Sequence, residues 1–204
     1  IHRGSRLSLG WIEDGQVVCP YHGWHYNSSG ACTLMPAQPN MTPPAKARAF
    51  VHRAKEQYDW IWVSLGEPKH DIPPFFQWDD PDFRKFQAGP YYYRANGFRT
   101  IENFVDPSHF PFVHAGINGV AADADSIDRY EVHRDEHGLR TDEIWVYQPY
   151  GDHRAIPVDA GYVYHCFRPL TAYFNKHTVV KDGTGGNDDR ICMMTTVQPV
   201  EEDM

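Results

Sequence analysis

The sequence predicts an α+β protein of two domains: a small antiparallel β domain, then a larger domain of one helix against an antiparallel sheet. Three observations carry this. Residues 1–65 alternate short apolar runs with turn residues, and 16 Pro, 16 Gly and 14% aromatics fit a loop-rich, β-containing chain rather than a helical bundle. Gly66-Glu67-Pro68 through Ile72-Pro73-Pro74 is a stiff, Pro-punctuated connection. After it, one helical stretch is followed by a run of strand-like segments, the pattern of an α+β domain. The boundaries expected are 1–68 and 73–204.

In order, Asp14-Gly15 separates Leu9–Ile12 from Gln16–Cys19, a strong two-residue hairpin signal. Ser28-Ser29-Gly30 marks a second turn after Trp24-His25-Tyr26, and Pro36, Pro39, Pro43 and Pro44 make an extended connection. Strands are expected at Arg48–Arg53 and Trp60–Leu65, and beyond the linker at Tyr91–Ala95. A helix is expected over Asn103–His114, with a break at Pro111, then a small-residue loop over Ala115–Ala124. Further strands are expected at Ser126–Arg134, Leu139–Gln148, Gly161–Arg168, Ala172–Val180 and Arg190–Pro199, with a turn at His137-Gly138 and a mobile acidic loop at Asp182–Asp189.

The net charge of −8 argues against a nucleic-acid partner held through phosphates. No apolar run approaches the roughly 20 residues of a membrane span. No signal-peptide pattern opens the chain. The scattered Cys19, Cys32, Cys166 and Cys192 argue against a disulfide framework and fit a reducing compartment, and the location expected is cytoplasmic, of bacterial type. Twelve histidines matter more than the charge.

Asn103 through His114 places an amide, a carboxylate and two imidazoles among Phe, Val and Pro, a plausible seat for a divalent transition metal. On one ideal helix Asn103, Asp106 and His109 step back about 60° at each interval, while His114 would point about 140° away from His109. A kink at Pro111 would turn His114 back. The alternative is a buried helix with two hydrogen-bonded histidines. In the first domain, Cys19-Pro20-Tyr21-His22 is a Cys-x-x-His chelate geometry, for which zinc is the default. The second pair that a zinc ribbon needs is not found downstream. His2-Arg3-Gly4 offers a partner upstream.

Taken together, His2-Arg3-Gly4 with Cys19-Pro20-Tyr21-His22-Gly23-Trp24 resembles the Rieske [2Fe–2S] motif, and Asn103-x-x-Asp106-x-x-His109-x-x-x-x-His114 resembles the mononuclear iron motif of Rieske non-haem iron oxygenases. Within that family the form resembles the homotrimeric monooxygenase and O- or N-demethylase branch. The resemblance implies a Rieske domain followed by a helix-grip-like (START/Bet v 1-like) catalytic domain. It implies that His2 and His22 bind one cluster iron and Cys19 the other, with a further Cys expected before Ile1. Trp24 would shield the cluster. His109 and His114 would bind the mononuclear Fe(II), with a third, carboxylate ligand expected after Met204. The chain is thus expected to be truncated at both ends and inactive by itself. By the same resemblance Asp106 bridges one of these histidines to His22 of a neighbouring subunit; Asn103 is expected either near the iron as a weak or water-mediated ligand or in simple packing or backbone hydrogen bonding. The helix-dipole alternative for Asp106 places it in a helix first turn.

The function so implied is that of a terminal oxygenase component, a mono- or dioxygenase. Electrons from NAD(P)H would arrive through a reductase, with or without a ferredoxin. O₂ would be used to hydroxylate or demethylate a small aromatic substrate. Two other classes compete: a Rieske electron carrier, which needs no second motif, and a hydrophobic-ligand binding module of the same fold. His165 is expected either to line the pocket or to be a satisfied strand histidine.

Overall fold

The computed structural model describes residues 4–124, 126–151, 153–168, 170–180 and 189–200. The chain forms two compact units, Ile1–Ile72 and Pro73–Met204.

In the first unit a four-stranded antiparallel sheet runs in the order β1 (Trp11–Glu13), β2 (Gln16–Val18), β3 (His25–Tyr26), β4 (Cys32–Leu34). The β1–β2 turn puts Asp14 at φ 47° and Gly15 at φ 73°, the left-handed pair that an Asp-Gly hairpin supplies. Asn27 Oδ1 closes the β3–β4 turn by accepting from the N–H groups of Ser29 and Ala31, both at 3.0 Å. Cys19, Tyr26, Cys32, Met35 and Ala47 form the core, with Leu7, Trp24 and Ala49 packed on it.

A separate hairpin pairs β5 (Arg53–Gln57) with β6 (Trp60–Ser64). The strand expected at Arg48–Arg53 therefore begins where it was to end. Tyr58 and Asp59 both take positive φ, 59° and 57°, and this turn without glycine sets the register. The apolar run before it finds no ladder, and Phe50 is 97% exposed.

The second unit opens with 73–96, which carries no strand. The one expected at Tyr91–Ala95 is absent: Tyr91, Tyr92 and Tyr93 are exposed, and β propensity produces a strand only against a neighbour. Helix α1 (Gly97–Val105) starts at Asn96, whose side chain accepts from Phe98 N–H at 2.9 Å, an N-cap. Helix α2 (Phe110–Val113) follows. The larger sheet then runs β12 (Ile191–Thr196), β11 (Thr171–Val180), β10 (Val158–Phe167), β8 (Gly138–Thr141), β7 (Val132–Arg134), all antiparallel. Strand β9 (Ile144–Gln148) pairs with the first half of β10. The single strand expected over Leu139–Gln148 is thus two, divided at Asp142-Glu143, and the strand expected over Ser126–Arg134 is only its last three residues. The loop at Asp182–Asp189 lies outside the described residues except for Asp189.

Because strand side chains alternate, β10 and β11 present two different surfaces. Tyr162, Tyr164 and Phe174 face the helices, and Phe104 of α1 stacks on Phe174 at 5.3 Å. Ile144, Ala160, Tyr162 and Tyr164 make that core, joined by Val105, Phe110, Ile127, Val146 and Phe174. On the opposite face Tyr173 and His165 meet Phe76, with ring centroids 5.5 and 5.2 Å away. His165 therefore sits away from the helix-facing core, and burial there lowers its pKa. Among the described residues no helix is long and apolar enough to cross a membrane.

Candidate metal centre

The break between α1 and α2 falls at Pro107, not at Pro111. Proline disfavours helical backbone in the residue before it, and Asp106 is accordingly extended, φ −98° and ψ 106°, as the C-cap of α1. Pro111 instead lies in the first turn of α2, where a missing N–H costs nothing. The expectation that Asn103, Asp106 and His109 share one helix is corrected by this. His109 caps the start of α2 and His114 its end, and one short turn of helix brings their rings to 5.1 Å between centroids. The first-turn dipole reading of Asp106 also falls away, since it stands at a helix C-terminus.

Asp106 organises the break. Its Oδ1 accepts from Ser108 N–H at 2.7 Å and from Ser108 Oγ–H at 2.5 Å, an Asx turn. Its Oδ2 faces His109 Nδ1 at 3.4 Å. Burial raises the Asp106 pKa, but the two Ser108 donors and His109 outweigh it and hold the carboxyl below its ordinary range. With Nδ1 turned to the carboxylate, Nε2 of His109 is the nitrogen left for a ligand bond. The His109 side chain is 14% exposed and that of Asp106 44%. Asp106, Ser108, Arg129 and Tyr130 line an open groove of about 590 Å³. Asn103 is exposed on α1.

Ligand nitrogens about 2 Å from a metal put two adjacent imidazole centroids roughly 4.5–5.3 Å apart. The His109–His114 pair fits that separation. Phe110 packs between this pair and the sheet, 6.0 Å from the His114 ring and 5.7 Å from Tyr162, which makes the wall beside it apolar.

In the first unit, Cys19 N–H donates to Trp24 O and Gly23 N–H to Cys19 O, both at 2.9 Å, closing the turn that carries His22. Gly23 has φ 68°, which favours glycine there. The turn buries Cys19 to 2% exposure and leaves His22 exposed, while Trp24 packs against the core that contains Cys19. A buried soft thiolate beside a solvent-facing imidazole suits a cluster with one sulfur-rich and one imidazole-bound iron. His2 lies outside the described residues. Among the described residues no three His, Cys, Asp or Glu side chains gather as a metal site.

Sequence reasoning missed Ser108, although Asp-Pro-Ser is itself an Asx-turn signal.

Residues 1–51 match the Rieske [2Fe–2S] domain, and residues 93–204 match the vanillate O-demethylase oxygenase C-terminal domain. Methylxanthine N1-demethylase NdmA of Pseudomonas putida is 42% identical over 117 residues, covering 56% of this chain and 33% of that protein. The vanillate O-demethylase oxygenase subunit of a Pseudomonas species is 33% identical over 121 residues, 58% of this chain and 36% of that one. The solved structure of a Pseudomonas putida NdmA mutant with caffeine superposes with a TM-score of 0.70 at 31% identity, over 84% of this chain and 48% of that one. Dicamba monooxygenase bound to 3,6-dichlorosalicylic acid has the same TM-score at 22% identity, over 91% of this chain and 56% of that one, a likeness of fold. The chain spans about a third of the length of these curated relatives and about half of the solved chains.

Proposed function

The chain belongs to the Rieske non-haem iron oxygenases of the vanillate O-demethylase type, and from that membership we propose that it is part of a terminal oxygenase component that hydroxylates or O- or N-demethylates a small aromatic substrate. Cys19 and His22, with His2 and a second thiol, would hold the [2Fe–2S] cluster, and His109 and His114 the mononuclear iron. When bound, these groups supply one-electron storage and O₂ activation, with electrons drawn from NAD(P)H through a reductase and, where present, a ferredoxin. The protein's own part is positional. Ser108 fixes Asp106, Asp106 orients the His109 ring through Nδ1, and Phe110, packed on Tyr162, makes the wall beside the two imidazoles apolar.

The observation that carries this reading is the Asp106–His109–His114 arrangement: a carboxylate 3.4 Å from one imidazole, whose ring lies 5.1 Å from the next. The exposed edge of Asp106 supports its second proposed contact, to His22 of a neighbouring copy in a homotrimer. A cytoplasmic setting goes with the proposal. Asn103, exposed on the last turns of α1, would reach the iron through water.

Iron quantitation with EPR on the intact oxygenase tests it. Three irons per subunit with a Rieske-type signal are expected. Two irons would make it an electron carrier, and none would make it a binding module that has lost its metals.

A further inference from the structure

A chain of buried polar groups that the proposed reaction does not use crosses three strands of the larger sheet. Gln148 of β9 is fully buried, Tyr162 of β10 is 3% exposed and Lys176 of β11 is 5% exposed. Lys176 Nζ donates to Gln148 Oε1 and to the Gly151 carbonyl, both at 2.8 Å. Gln148 Nε2 donates in turn to the Tyr162 hydroxyl at 2.9 Å. Tyr162 and Lys176 stand opposite each other across β10 and β11, and Nζ lies 5.8 Å from the Tyr162 ring centre, within cation–π reach. With Oε1 taken by Lys176, Nε2 is what the amide has left for Tyr162, so its orientation is fixed.

This chain ends beneath the two histidines. The Tyr162 ring lies 5.7 Å from that of Phe110, and Phe110 lies 5.1 Å from the His109 ring and 6.0 Å from the His114 ring. Helix α2 is a single turn in which Phe112 and Val113 are exposed, and Phe110 is its residue in the sheet core. The place of Tyr162 therefore sets the seat of Phe110. Buried amides and amines are costly unless bonded. Once bonded, they hold one geometry where an apolar cluster can settle in several. Burial pushes the Tyr162 pKa up to about 12 against the opposing pull of the Gln148 bond, so the phenol stays neutral at working pH.

We propose that Gln148 is a positioning residue for the mononuclear iron site: tied to Lys176, it holds Tyr162 in place, and Tyr162 sets, through Phe110, the separation of the His109 and His114 rings. The proposal rests on the reading that these two histidines bind iron. It adds a support that reaches the centre from the sheet, separate from the Ser108–Asp106 contact at the helix break.

The test is chelator competition for Fe(II) at the mononuclear site of the intact oxygenase, with Tm and the Rieske EPR signal read on each variant. Gln148→Leu should weaken Fe(II) binding about tenfold, the lower end for groups that orient metal-bound histidines, and leave the Rieske signal unchanged. Gln148→Glu should keep the affinity within about twofold, because a carboxylate accepts from both Lys176 and the Tyr162 hydroxyl. Tyr162→Phe keeps the ring, loses the hydroxyl and should match Gln148→Leu; it decides alone if Gln148→Leu does not fold. Phe76→Leu, on the opposite face of the sheet, should lower Tm and leave Fe(II) affinity unchanged, since a general loss of stability does not move the histidines. Three results overturn the proposal: unchanged affinity in Gln148→Leu or Tyr162→Phe, an equal loss in Gln148→Glu, or an equal loss in Phe76→Leu. A wild-type enzyme without mononuclear iron overturns the reading of the two histidines and the proposal with it.

Discussion

Ser108 and Asp106 show how much of the centre rests on two small polar residues. The depressed Asp106 pKa means that its contribution to stability is present above the unfolded value, near pH 3.9. It is lost as pH falls through the lower folded value. Ser108→Ala removes one of the two donors, so the folded pKa returns toward normal. The variant should be less stable than wild type near pH 7, and the gap should narrow as pH falls below about 4, read by thermal unfolding across pH. Solvent screening of the half-exposed carboxylate keeps the effect small. For Asp106→Asn, both iron groups should still load, while transfer from reduced cluster to mononuclear iron should slow by about 100-fold, because an outer-sphere partner orients its histidine. Normal single-turnover transfer in that variant would remove Asp106 from the electron path. Both residues were open to sequence reasoning in different degrees. Asp106 stood out by its spacing to the histidines. Ser108 was hidden because serine after Asp-Pro is common in any turn.

At the scale of elements, the decisive event is the helix break. Pro107 forces Asp106 out of helical backbone, and α2 is then a single turn whose two ends carry the two histidines. Pattern reading anticipated a break but assigned it to the wrong proline, since local rules do not say which of two prolines starts a new helix and which ends an old one. The sheet has a comparable pivot at Gly138, with φ 150°. A Cβ there would lie 2.2 Å from the Cys166 carbonyl oxygen, where β8 pairs with β10. Neither atom belongs to a flexible side-chain end, so the ladder itself must move. Gly138→Ala should destabilise the second unit by about 2 kcal/mol or more, measured by denaturant unfolding. A loss below about 0.5 kcal/mol would show that this close approach is relaxed in solution.

At the scale of the molecule, the residues proposed for the two iron sites belong to separate compact units, Ile1–Ile72 and Pro73–Met204. Cys19→Ser should therefore remove the two cluster irons and the Rieske EPR signal, while the mononuclear iron remains at one per subunit. Loss of all three would mean that the sites assemble together. Sequence alone determined the class of protein and the hairpin at Asp14-Gly15, and it nominated the residues proposed for both centres, because turn chemistry and ligand spacing are local properties. It placed β5 five residues early and drew a strand through Tyr91–Ala95, because a strand exists only where a partner offers a ladder. Only the tertiary structure decided that α2 brings His109 and His114 ring to ring. It also decided that Tyr162 and Tyr164 of β10 meet Phe174 of β11 on the helix-facing side, since strand pairing joins residues distant in sequence that no local pattern relates.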